Sequence, residues 1–281
     1  MRSKERNPLY FCMRTNAMWT LIIIPLLGFS LQAIGQHDTL NRTDNQGKKT
    51  GYWISYDPAG LKIYEGFFRE GRPVGRFLRF HANGKIRAEM NYLSDGIRVE
   101  TRLFDPEGRM RAEGTYLNQL KEGLWSFYSE KKNPVSRIHY SNGKVHGEAL
   151  RYDANGALIE QTQWINNTLS GLQIIFYPDN KPQAKINYRK GVIDGPYELL
   201  FPDGKTEVQG VYFSGLKTGK WVYYQPDGQT DYILNYKNGK LLNPEILDAR
   251  QRESFYRYEK NRSLLKDPQD FLNNPEGLLI R

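Results

Sequence analysis

The sequence predicts an all-β fold: an elongated, single-layer antiparallel array of β-hairpins, about eight repeats of 24 residues, with a short C-terminal helix. Three observations carry this. Glycine recurs at a fixed period, at Gly60, Gly84, Gly108, Gly156, Gly204 and Gly228, with Lys132 and Asn180 in the two remaining places. Eight residues after every one of these anchors stands an aromatic residue: Phe68, Tyr92, Tyr116, Tyr140, Trp164, Tyr188, Tyr212 and Tyr236. A further aromatic column precedes the anchors by four residues, from Tyr56 to Tyr224 with Leu200 as its one aliphatic member, and a second glycine column precedes them by nine. Self-similarity at one period marks a repeat architecture in which each unit buries its apolar surface against the next.

The N-terminal segment reads as an export signal. Arg2, Lys4, Arg6 and Arg14 precede an uncharged stretch from Thr15 to Gln36 whose apolar heart is Leu21–Leu31. A basic start, a short apolar run and small residues at Ala33 and Gly35 match a secretory signal over residues 1–35, cleaved after Gly35, which predicts a periplasmic or extracellular protein. The alternative is an uncleaved membrane anchor, since such a stretch can just span a bilayer core of about 30 Å. Pro25 and the Ala33-Ile34-Gly35 ending favour cleavage. The single cysteine, Cys12, would leave with the signal, which suits an oxidising compartment. Residues 36–49 form a polar leader.

Residues 50–243 hold the repeats. Each reads as a glycine, a strand, a tight turn, a second strand and a second turn. Pro58, Pro106, Pro178, Pro202 and Pro226 occupy the turn position where a φ fixed near −65° is wanted, and the anchor glycine accepts positive φ. The third repeat departs from the pattern: Val99 replaces the glycine of the second column, and Gly96 stands three residues earlier. A lone hairpin is marginal in water, so stability must come from stacking, with equivalent rings in ladders along one sheet. After Gly239 the composition changes. Asn243-Pro244-Glu245 offers an N-cap, a proline at the first helical position and an acid in the first turn, so residues 244–281 are read as a helical cap and tail, the helix running to about Leu265. Such a helix could cover the open edge of the last strand.

The spacing aromatic-x-x-Gly-x-x-x-Gly recurs from Phe68 to Gly75, Tyr140 to Gly147, Tyr188 to Gly195 and Tyr212 to Gly219. It resembles the MORN repeat, and in particular the variant found in bacterial YwqK-family antitoxins, over about residues 47–243. The resemblance implies a β-hairpin array that serves as a scaffold or binding surface, with no catalytic residue. Antitoxin activity sits poorly with an exported chain.

Composition narrows the function further. With 39% apolar, 25% charged and 13% aromatic residues and 26 glycines, the composition argues against disorder and against a multispanning membrane protein, and a net charge of +9 is too small to imply nucleic acid. One cysteine rules out a thiolate cluster. His139 and His146 have no compact metal-ligand spacing, and the aspartates beside the anchors, such as Asp57 and Asp227, are read as turn residues. No nucleophile elbow or phosphate loop occurs, so the chain is read as non-enzymatic and without a cofactor. Nucleic acid is an unlikely partner for an exported chain. The expected function is an exported scaffold presenting an extended surface to another protein. Trp53, Trp125 and Trp221, with Phe77 and Tyr197, are candidate surface anchors, or else a second packed face. The alternative is an envelope module for anionic lipid or polysaccharide, using Arg72, Arg76 and Arg79 of the basic second and third repeats. A third reading is an antitoxin-like inhibitor held inside the cell.

Overall fold

Strands joined by tight turns satisfy their backbone groups against their sequence neighbours, and this chain does so throughout. The computed structural model describes residues 40–94 and 96–261. The expected signal, residues 36–39 of the leader and the tail beyond residue 261 lie outside the described residues. As the sequence predicts, the described residues form one antiparallel sheet that does not close into a barrel, followed by one helix, Glu245–Asn261. Strands pair in sequence order, from Arg42–Thr43 with Lys49–Tyr56 and Lys49–Tyr56 with Lys62–Arg69 to Thr230–Lys237 with Lys240–Leu241. At Ser170 the order is interrupted, and Thr168–Leu169 and Gly171–Phe176 both pair with Leu158–Ile165.

The two rims use different turns, each for a local reason. On the anchor rim, the Asp57 carboxylate accepts from the backbone N–H of Ala59 at 2.9 Å and of Leu61 at 2.8 Å. Asp105 and Asp153 repeat this. On the other rim, pairs such as Asn142-Gly143 and Asn238-Gly239 both have positive φ, the two-residue turn whose twist matches the flanking strands. These turns also bond back one repeat: Gly143 N–H donates to the Lys121 carbonyl and Gly239 N–H to that of Lys217. The third repeat is the exception announced by its sequence. Ile86–Tyr92 and Arg98–Phe104 pair without the bulge found elsewhere, and a longer turn closed by Gly96 joins them.

Most of the core lies on one face, with Leu78 buried on the other. Trp125 is 0% exposed, Trp221 1% and Leu234 2%, with Phe77, Ala88, Ala112, Ala184 and Val208 also buried. The helix starts at Glu245, beside the proline, but Asn243 does not cap it with its side chain as the sequence suggests, because that amide is bonded to the sheet edge instead. The helix touches the sheet through Ile246, packed near Trp221, and through Arg250, whose guanidinium pairs with Asp231 at 2.7 Å over the Tyr232 ring.

Candidate binding face

A single layer of sheet has nothing to cover either face, so burial must come from side chains lying along it. Here three large rings do this by lying on glycine. Phe77 stands opposite Gly66, Trp125 covers Gly114 and Trp221 covers Gly210, and a Cβ at any of these glycines would run into the ring. The next column meets the rings edge-on: Tyr116 with Trp125 at 4.9 Å between centroids, Tyr212 with Trp221 at 5.0 Å and Phe68 with Phe77 at 5.7 Å. Each such contact contributes about 0.5–1.5 kcal/mol beyond area burial.

Lysine completes these clusters. Lys49, Lys121 and Lys217 place Nζ 4.6, 4.7 and 4.1 Å from the ring centroids of Trp53, Trp125 and Trp221. Each also approaches the aromatic column of the following strand, at Phe68, Tyr140 and Tyr236. Burial pushes the pKa of Lys121 and Lys217 down, while the ring faces attract the charged form and oppose that shift. The pairing is written in the sequence as Lys-x-Gly-x-Trp, three times. In the other five repeats the lysine position holds Pro73, Ile97, Val145, Leu169 or Ile193, and none has tryptophan at the ring position. This co-occurrence is the signal the sequence reading passed over.

The outermost groups of this face are phenols. Tyr92, Tyr116, Tyr140, Tyr188, Tyr197, Tyr212, Tyr223, Tyr232 and Tyr236 are all half-buried on it. Among the described residues their hydroxyls make no hydrogen bond, yet none is a buried polar atom without a partner, so each hydroxyl reaches solvent. Burial raises the pKa of most of them. Tyr223, stacked on Tyr232 at 4.3 Å, is pushed up to about 12, chiefly by desolvation and then by neighbouring phenols.

The opposite face mixes apolar side chains, such as Tyr52, Phe67, Leu78 and Leu124, with charges that pair among themselves. Arg76 bonds Glu89 at 2.7 Å, Arg102 lies 3.8 Å from both Glu89 and Glu113, and the Tyr128 hydroxyl donates to Glu113 at 2.6 Å. Further along, Lys185 pairs with Glu198 at 2.9 Å, which holds that carboxyl below its ordinary range.

The residues singled out from sequence fall in different places. Arg72 opens its strand at the rim opposite Arg69, Arg76 is on the face opposite the large rings, and Arg79 is on the aromatic face between Tyr64 and Ala88. The three arginines therefore do not form one basic site. The reason is the alternation of the strand, which sends Arg79, three residues after Arg76, to the other face. Trp125 and Trp221 are not surface anchors, since they are the most buried side chains of the sheet, and Phe77 joins them at 4% exposure. They form the packed face that the sequence offered as the other reading. Trp53 and Tyr197 are half-buried, with Trp53 Nε1 donating to the Arg42 carbonyl at 2.9 Å.

Four segments of the array, residues 73–93, 145–166, 169–190 and 217–238, match the family model described as MORN repeat variant. MORN repeats are generally protein- or membrane-interaction modules and generally non-catalytic. A comparison with curated proteins gives no match. Among solved structures, one described as "Crystal Structure of TcdB2-TccC3-TEV" is similar at 10% identity and a TM-score of 0.20. That similarity covers 70% of this chain and 14% of the other, and neither fold nor function is drawn from it.

Proposed function

We propose that the MORN-type array is a non-enzymatic scaffold that binds another protein through its tyrosine-lined face. The observation that carries this is the set of nine phenols held on one face with their rings packed and their hydroxyls unpaired and only partly covered. Rigid rings lose little freedom on contact, and an unpaired hydroxyl supplies a donor and an acceptor to a partner, which is why tyrosine dominates many recognition surfaces. The opposite face has already paired its charges internally. Export remains part of the proposal, resting on the signal-like residues 1–35, as does the narrower kinship with YwqK-type proteins, resting on glycine spacing and without their antitoxin activity.

Quantitative affinity capture from envelope extract tests the face assignment. Tyr92→Phe, Tyr140→Phe and Tyr188→Phe combined should lose the captured protein, while Arg76→Ala with Arg102→Ala should retain it. Loss with the arginine pair alone, or retention by anionic vesicles that weakens with salt, would place the contact on charge and overturn the reading. N-terminal sequencing of the mature protein, expected to begin at Gln36, tests export.

A further inference from the structure

An open sheet exposes a row of backbone N–H and C=O groups along each outer strand, a template for another strand. Both outer strands here are closed by the same small device. At the first edge, Lys49–Tyr56, the backbone N–H of Asn41 donates to the Tyr52 carbonyl at 2.9 Å. The Asn41 side-chain amide then takes both groups of Ile54, donating from Nδ2 to its carbonyl at 3.0 Å and accepting from its N–H at 2.7 Å. At the far edge, Thr230–Lys237, Leu242 N–H donates to the Asn235 carbonyl at 2.8 Å. The Asn243 amide accepts from Asn235 N–H at 2.8 Å and donates from Nδ2 to the Ile233 carbonyl at 2.9 Å. A carboxamide has the donor and acceptor of a peptide group, so each asparagine stands in for the neighbouring strand that the array lacks.

The far end shows where a further repeat would have begun. Tyr236 opposite Leu241 and Lys237 opposite Lys240 repeat the register of Tyr212 with Lys217 and Phe213 with Leu216. The chain thus enters a ninth unit in frame and leaves it at Asn243, which stands 24 residues after Gly219, with Pro244 following. Proline has no N–H to continue the ladder.

We propose that Asn41 and Asn243 are end stops that keep a second copy of this chain from adding to the array. The first edge belongs to the opening strand of a repeat and the far edge to the closing strand of one. One end of a copy therefore fits the other end of the next in the way that repeat follows repeat within the chain, a head-to-tail contact that nothing closes. The latent partner is the protein itself.

Sedimentation velocity on the full chain over a range of concentrations tests this, with amide exchange as the second readout. The unaltered protein and each single variant, Asn41→Ala or Asn243→Ala, should stay one species, since one sealed end is enough to stop growth. The double variant should form a concentration-dependent series. Ile54 and Asn235 amides should be protected in the unaltered protein, and each single variant should lose protection at its own end by about tenfold or more. A double variant that remains one species, a single variant that associates as strongly as the double, or an unaltered protein whose Ile54 and Asn235 amides exchange freely would overturn the proposal. The last result decides even where a variant fails to fold.

Discussion

At Gly114 and Gly210 the indoles of Trp125 and Trp221 fill the space that a side chain would need. Gly114→Ala should force the ring off the backbone and lower stability by about 1–3 kcal/mol in urea unfolding, the usual range for overpacking. The two tryptophans differ in one atom's fate. Trp125 Nε1 donates to the Thr115 carbonyl at 3.0 Å, whereas Trp221 Nε1 is buried without a partner. Replacement by phenylalanine removes a made bond in the first case and an unpaired donor in the second. Trp125→Phe should therefore cost more than Trp221→Phe by about 1–3 kcal/mol, and equal losses in thermal unfolding would show that the indole N–H groups do not matter. The ring columns and turn aspartates were legible in the sequence because they depend on neighbours a few residues away. The burial of Trp125 was legible only as one of two readings, since what decides it is a glycine eleven residues earlier on the adjoining strand.

Elements repeat this division. Hairpins and their turns follow from glycine, proline and aspartate spacing, and even the irregular third repeat announced itself through Gly96. The split of Arg79 from Arg76 follows from their odd spacing along one strand, whereas the role of Asn243 was hidden by its double meaning. An asparagine before proline reads as a helix cap, but its amide instead meets Ile233 and Asn235 on a strand that only the fold brings alongside. The helix itself is mostly exposed, with Phe255 65% and Tyr256 72% accessible. Phe255→Ser and Tyr256→Ser should each change stability by no more than about 0.5 kcal/mol, while Ile246→Ala, next to the Trp221 cluster, should cost clearly more in the same chemical denaturation.

For the whole molecule, the aromatic face couples folding to alkaline pH. Burial raises the pKa of Tyr92, Tyr116, Tyr140, Tyr197, Tyr212 and Tyr232, and takes Tyr223 from the ordinary 10 to about 12. These phenols ionise more readily in the unfolded chain, so their contribution to stability is complete below pH 10 and fades as pH rises from 10 towards 12. Thermal melts across that interval should show a falling midpoint, in step with late tyrosinate absorbance. A midpoint flat to pH 12 would mean that the phenols are not buried as described.

Bonding only between strands adjacent in sequence has a consequence for the length of the chain. The junction of Asp179 with Asn180 is the same kind of place as that of Asp203 with Gly204, so excising residues 180–203, 24 in all, rejoins like to like and leaves Gly210 beneath Trp221. A shortened protein of seven units would keep its two asparagine seals, its helix and its register, and a lengthened one would do the same. The reach of the tyrosine surface can thus be altered in whole modules, by duplication or deletion of DNA, without redesigning either terminus.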